Sequence, residues 1–191
     1  MKVVAFNGSA RKNGNTDILL NAVLDELGKD GIETELVTLA GKIIPGCRAC
    51  RKCFENADGR CAVTGDIVND CIDKMRGSDG ILLGSPTYFS DVTASMKALI
   101  ERSGMTARAN HDMLKRKVGA GVVAERRAGA IHAFNSLNLF FLIGQMIVVG
   151  SSYWNVGIGR EAGEVEHDIE GIQTMKVLGQ NMAWLLKKLR T

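Results

Sequence analysis

No run of this sequence is long and apolar enough to suggest a membrane span. The greasiest stretch, Leu139 to Gly150, is interrupted by Gln145 and falls well short of the roughly 20 residues that a bilayer crossing needs. It reads instead as the end of a buried helix running into a buried strand. An excess of one charge is lacking too: 24 basic and 21 acidic residues are interspersed and leave a net charge of +3. That is too mild to argue for nucleic acid or a membrane surface as partner. Residues Met1 to Gly8 lack the apolar run and small-residue cleavage site of a signal peptide, so a cytoplasmic location is expected. Repeats, low-complexity tracts and linkers are missing. His111, His132 and His167 are scattered, none at ligand spacing with another, and no nucleophile–base constellation stands out.

What remains is an ordinary globular balance, 46% hydrophobic and 24% charged over 191 residues, a length that suits one domain spanning 1–191. Strand-like runs and amphipathic helices alternate along it. Strands are expected at Lys2–Phe6, Thr34–Leu39, Gly80–Gly84, Val118–Ala124 and Met146–Gly150. Between them, helical stripes run through Leu20, Val23, Leu24 and Leu27, through Val68, Cys71, Ile72 and Met75, and through Met96, Leu99 and Ile100. Ala130–Gly144 reads as a helix, and Met175, Leu178, Met182, Leu185 and Leu189 mark a closing one. Five strands each followed by a helix predict a three-layer α/β fold, a parallel sheet with helices on both faces. Ligands of such sheets bind beyond the carboxyl ends of the strands.

Three loops at that end are chemically unusual. After strand one comes Gly8-Ser9-Ala10-Arg11-Lys12-Asn13-Gly14-Asn15-Thr16, rich in hydroxyls, amides and a cation just before a helix. Free backbone N–H groups and the helix dipole there favour a bound dianion; a turn with a Thr-capped helix explains the same residues. The loop has neither the G-x-G-x-x-G nor the G-x-x-x-x-G-K-[ST] spacing. After strand three, Gly84-Ser85-Pro86-Thr87-Tyr88-Phe89-Ser90 is a rigid turn carrying two adjacent aromatics. It suits a flat conjugated ring, or a turn whose aromatics close the core.

Together the Gly-Ser-x-Arg-x-x-x-Asn-Thr loop, the Pro-Thr-Tyr-Phe turn and the following Met96-Lys97 resemble the NAD(P)H-dependent FMN reductase family, over essentially the whole chain. The resemblance implies a flavodoxin-like fold with strand order 2-1-3-4-5 and a bound FMN. It implies that Ser9, Arg11, Asn15 and Thr16 hold the phosphate, and that Pro86, Thr87, Tyr88 and Phe89 line the ribityl chain and ring. A third contact is implied for the loop after strand four, Ala124-Glu125-Arg126-Arg127-Ala128-Gly129, through Glu125 and Gly129. Arg126 and Arg127 suit either a cationic edge for a reduced flavin or a solvated loop. NAD(P)H is the implied co-substrate, and a homodimer or homotetramer the implied assembly. Tyr153-Trp154, beyond strand five, either cap the core or line a subunit interface.

Four of the five cysteines fall within one inserted loop, 43–65, as Cys47-x2-Cys50-x2-Cys53-x7-Cys61. In a reducing compartment such clustering argues for chemistry rather than disulfides. Four thiolates are what a cubane iron–sulfur cluster requires; structural zinc more often uses two separated C-x2-C pairs, and metal-free thiols remain open. Arg48, Arg51, Lys52 and Arg60 offset negative charge around them. The motif resembles that of the iron–sulfur flavoproteins, a branch of the same family, which implies a [4Fe–4S] cluster on Cys47, Cys50, Cys53 and Cys61. The expected function is an FMN-dependent oxidoreductase that relays electrons between flavin and cluster, with a small-molecule or ferredoxin-like partner. The alternatives are an NAD(P)H-dependent FMN or quinone reductase without a cluster and, from another class, a zinc-stabilised or thiol redox-sensing binding protein. Cys71 lies on an apolar helix stripe and reads as core.

Overall fold

The computed structural model describes residues 1–190. A parallel sheet runs through its centre in the order β2-β1-β3-β4-β5, from strands β1 (Lys2–Asn7), β2 (Glu33–Thr38), β3 (Gly80–Pro86), β4 (Val118–Glu125) and β5 (Ile147–Val148). The order is the one expected. Successive strand side chains point to opposite faces, and the buried residues sort accordingly. Val3, Ala5 and Leu82 pack under helices α1 (Asn15–Lys29) and α6 (Ile169–Leu189). Val4, Phe6, Ile81 and Leu83 pack under α3 (Val68–Gly77), α4 (Ala94–Ala109) and α5 (Ala130–Ile143). Between β2 and α3 the cysteine loop contains one short helix, α2 (Lys52–Asn56), where no period is visible in the sequence.

Two expectations need correction. The fifth strand is not Met146–Gly150 but only the pair Ile147–Val148 beside Val118 and Gly119. The chain then leaves the edge through Gly150-Ser151-Ser152 and returns as β6 (Val156–Ile158), which pairs with the upper half of β4. Asn155, 2% exposed, bridges the gap. Its Nδ2 donates to the Gly121 carbonyl and its own carbonyl accepts from the Val123 N–H, so β4 keeps its ladder bonds across the excursion. The second correction concerns the greasy stretch. Ala133, Leu137, Phe140 and Phe141 on α5 are buried, but Leu139, Leu142 and Ile143 are 63%, 61% and 57% exposed. One side of α5 reaches the sheet, and the other side carries apolar residues that none of the described residues covers. Tyr153 and Trp154 pack on each other with centroids 4.7 Å apart and are both mostly exposed, which removes the core-capping role.

Candidate functional site

At the carboxyl end of the sheet lies a cavity of about 360 Å³ bordered by Ser9, Arg11, Asn15, Thr16, Pro86, Thr87, Tyr88 and Glu125. These are eight of the ten positions expected to contact a cofactor. The volume falls within the range of small-molecule sites.

The loop after β1 is a folded cradle. Ser9 N–H donates to Asn7 Oδ1 at 2.9 Å, and Ser9 Oγ accepts from the Arg11 N–H at 3.1 Å. Thr93 Oγ1 donates to the Gly8 carbonyl at 2.8 Å while accepting from the Met96 N–H, so the cap of α4 also fastens the loop. Helix α1 begins with Gly14 at its N-cap and no side chain satisfying its first turn. Its first N–H groups and the positive end of its dipole are therefore left for an anion. Thr16 Oγ1 is buried beside them without a hydrogen-bond partner, and so is Thr87 Oγ1 across the cavity. Leaving a buried hydroxyl unpaired costs about 1–3 kcal/mol. Two of them on residues that border one cavity fit a polar ligand that would satisfy both.

Asn15 borders the cavity, but its side chain is committed elsewhere. Nδ2 donates to the Gly159 carbonyl at 2.9 Å, and Oδ1 accepts from the N–H groups of Gly163 and Val165 at 2.9 and 3.4 Å. Arg11 Nη1 donates to the Arg160 carbonyl at 3.4 Å. Together they draw the loop after β6 over the cavity, where Gly159, Arg160 and Glu161 form a wall that the sequence reading missed. The signal was present as Gly157, Gly159 and Gly163 in close succession. A Cβ on Gly159 would lie 2.7 Å from Asn15 Nδ2 and from the Val165 nitrogen, closer than any side chain tolerates.

In the turn after β3, Thr87 N–H donates to the Ala124 carbonyl, and Tyr88 and Asp91 exchange backbone bonds. Phe89 and Ser90 at its tip have φ of 49° and 60°, a left-handed backbone that non-glycine residues seldom adopt. Tyr88 borders the cavity; Phe89 does not, and its side chain is fully exposed. After β4, Glu125 and Arg126 border the cavity, while Glu125 Oε2 also accepts from the Ala130 N–H at the start of α5. Gly129 stands behind the wall. Its φ is +97°, and a Cβ there would lie 2.8 Å from Ser90 Oγ.

The cysteine loop forms a second hollow. Cys47, Cys50, Cys53 and Cys61 all border one space of about 20 Å³, against Arg102, Met105 and Thr106 of α4. Cys47 and Cys50 are exposed, Cys61 is half-buried and Cys53 buried. Burial pushes the Cys53 thiol above its ordinary value, with the neighbouring Cys61 and Cys47 adding to the rise. Among the described residues, no three His, Cys, Asp or Glu side chains are grouped to hold one metal ion. Four thiols bordering one hollow are the donor set that a cubane iron–sulfur cluster uses, and the space between them, about 20 Å³, holds roughly one water as it stands. The chain curls tightly to bring them there, with Ala49, Arg51 and Ala57 at φ of 52°, 59° and 47°. Its ends are fastened to helices: Cys47 N–H donates to Glu101 Oε2, and Cys61 exchanges two backbone bonds with the Asn69 amide. Of the cations expected nearby, Arg48 and Arg51 border the hollow, whereas Arg60 pairs with Asp73 at 2.8 Å. Arg102 had no place in the sequence reading, although a charged residue on the Met96–Leu99 stripe was its visible trace. Cys71 is buried in the core, where desolvation pushes its thiol up to about 12.

The sequence model of the NADPH-dependent FMN reductase family matches residues 1–161. An iron–sulfur flavoprotein of Methanocaldococcus jannaschii is 37% identical over 197 residues, covering 100% of both chains. An iron–sulfur flavoprotein of Methanosarcina thermophila is 32% identical over 98% of this chain and 96% of that one. Among solved structures, RosB with bound 8-demethyl-8-formylriboflavin-5'-phosphate aligns with a TM-score of 0.77 at 18% identity, over 100% of this chain and 80% of its own. A flavodoxin from the domain Archaea aligns at 0.63 and 16% identity, over 98% and 99%. These two likenesses bear on the fold. No helix among the described residues is long and apolar enough to cross a membrane. With a family match over most of its length and relatives alike from end to end, this chain belongs to the NADPH-dependent FMN reductase family and is a flavin-dependent oxidoreductase.

Proposed function

We propose that the chain binds FMN in the cavity at the carboxyl ends of β1, β3 and β4, holds a [4Fe–4S] cluster on Cys47, Cys50, Cys53 and Cys61, and passes electrons between the two. The observation that carries the flavin site is the pair of buried, unpartnered hydroxyls on Thr16 and Thr87, two residues that border one cavity. The Thr16 hydroxyl and the first N–H groups of α1 would bind the phosphate, with Arg11 adding a charge-assisted bond. Thr87 and Tyr88 would meet the ribityl chain and ring, and Arg126 would set a positive charge at the cavity's edge. Bound FMN supplies both one- and two-electron transfer, which suits a junction between a two-electron donor such as NAD(P)H and a one-electron centre.

The cluster reading is supported by the four thiols bordering one hollow and by the names of the relatives. The two sites share no lining residue; α4 links them, and about 12 Å of helix lies between its first residue, Ala94, and Arg102 at 1.5 Å per residue. The uncovered apolar side of α5, with the exposed Tyr153–Trp154 pair, supports a homo-oligomer as the working form. A ferredoxin-like protein or a small molecule would be the outside partner.

Anaerobic purification with flavin, iron, sulfide and zinc assays tests this reading. FMN with about four irons and four sulfides per chain is the expected result. FMN without iron after reconstitution would leave the simple reductase. Failure to bind any flavin would refute the site.

A further inference from the structure

One side of the cysteine hollow is made by α4, which sets two buried polar residues, Arg102 and Thr106, against it. Arg102 is among the largest side chains with no exposure at all. Its guanidinium works as a clasp: Nη1 donates to the Pro45 carbonyl at 3.3 Å and Nη2 to the Val63 carbonyl at 2.7 Å, one just before Cys47 and the other just after Cys61. Nη1 also pairs with Asp66 Oδ2 at 2.5 Å. Nε faces the other way and donates to Cys61 Sγ at 3.4 Å. Thr106 lies one turn further along the same helix. A buried helical hydroxyl normally donates to the carbonyl one turn back, as Ser103 does to Leu99 at 2.6 Å. Thr106 Oγ1 does not. It is buried, has no partner, and its residue borders the cysteine hollow.

We infer that Arg102 and Thr106 are positioning residues for the group held by the four cysteines, with the Arg102 Nε–H and the Thr106 O–H directed at its sulfur atoms to make it easier to reduce. The inference rests on the cluster reading above. Its physics is simple. Taking up one electron adds one negative charge and makes or breaks no bond, so fixed donors in a water-excluded pocket favour the reduced state over the oxidised one. Asp66 offsets part of the guanidinium charge, but it sits on the Nη side, while Nε carries the N–H toward sulfur. Arg102 thus does two things at once: it closes the ends of the loop and presents a cation to Cys61. Thr106 has no second duty, which makes it the cleaner probe.

The test compares wild type with Thr106→Val, Thr106→Ser and Arg102→Gln, reconstituted anaerobically. Iron is counted, and the cluster and flavin are titrated in the same sample by EPR and absorbance. Thr106→Val keeps the shape of the side chain. It is expected to keep full iron and an unmoved flavin potential, while the reduced-to-oxidised ratio of the cluster at fixed ambient potential falls about tenfold, or about 59 mV for one electron. Thr106→Ser is expected to restore it. Arg102→Gln is expected to shift the ratio the same way and to release iron faster to a chelator, because the clasp on Pro45 and Val63 is cut. A cluster potential in Thr106→Val equal to wild type, at full iron, overturns the inference and leaves the cluster reading standing. So does loss of iron from Thr106→Val with flavin retained, since that would make the hydroxyl structural. A wild type that binds flavin but no iron overturns both.

Discussion

Replacing Thr16 by valine should weaken flavin binding while making the flavin-free protein more stable. Thr16 is 1% exposed, and its hydroxyl is buried without a partner at the first turn of an uncapped helix. With a phosphate at that helix end, the hydroxyl gains a charged acceptor, and a hydrogen bond to a charged group is worth about 1.5–3 kcal/mol. At 1.4 kcal/mol per tenfold, its loss raises the FMN dissociation constant roughly 10- to 140-fold. Without ligand the sign reverses. Valine replaces an unsatisfied buried hydroxyl by a methyl group of the same shape, which stabilises by about 1 kcal/mol, or roughly 2–4 °C in Tm for a chain of this size. The assays are quenching of FMN fluorescence on titration with flavin-stripped protein, and thermal unfolding with and without saturating FMN. Opposite shifts in the two are the signature. An unchanged dissociation constant would show that the phosphate lies elsewhere and would refute the placement of the ligand.

Other consequences follow from neighbouring parts of the structure. Gly129→Ala puts a Cβ at φ +97° and 2.8 Å from Ser90 Oγ; a left-handed alanine costs about 1–2 kcal/mol before the clash. Its Tm should drop by about 2–8 °C, and flavin affinity should fall with it as the Thr87–Ser90 turn shifts; a flavin titration unaffected by the change would separate that turn from the site. Alkylation of metal-free native protein at mildly alkaline pH, followed by mass spectrometry, should label the exposed Cys47 and Cys50 first. Cys71 should stay unlabelled until unfolding, because burial pushes its thiol up to about 12. Hydrogen bonds from Lys74 and Lys2 hold the Glu35 carboxyl below its ordinary value of 4.5. A depressed folded-state value gives stability that is complete above 4.5 and lost as pH falls through the lower folded value. Glu35→Gln should therefore lower stability at neutral pH and flatten the acid limb of a pH–denaturation profile; parallel profiles for the two proteins would count against the bridges.

Much of this architecture was already written in the chain. The continuous apolar runs Lys2–Phe6 and Gly80–Gly84 mark strands buried on both faces, and the stripes on α1, α3, α4 and α6 mark the helix faces that meet the sheet, because side-chain direction follows the local backbone period. The phosphate loop, the turn after β3 and the cysteine spacing were legible for a related reason: each is a contiguous segment whose chemistry lies within a few residues. The fifth strand, the apolar outer side of α5 and the exposure of Phe89 were not, since hydrophobicity does not say which side of an element meets a neighbour. Nor did the sequence place the loop after β6 over the cavity, where Asn15 draws in Gly159 from 144 residues away. Arg102 likewise meets Cys61 across 41 residues. The sequence by itself determined the first four strands, the long helices and which loops carry hydroxyls, amides and thiols. Only the tertiary structure decided that the Asn15 side chain braces the loop after β6, and that a buried arginine and an unpaired threonine stand beside the cysteines. Those pairings depend on how the crossovers stack α1 and α4 against distant loops, which no local pattern encodes.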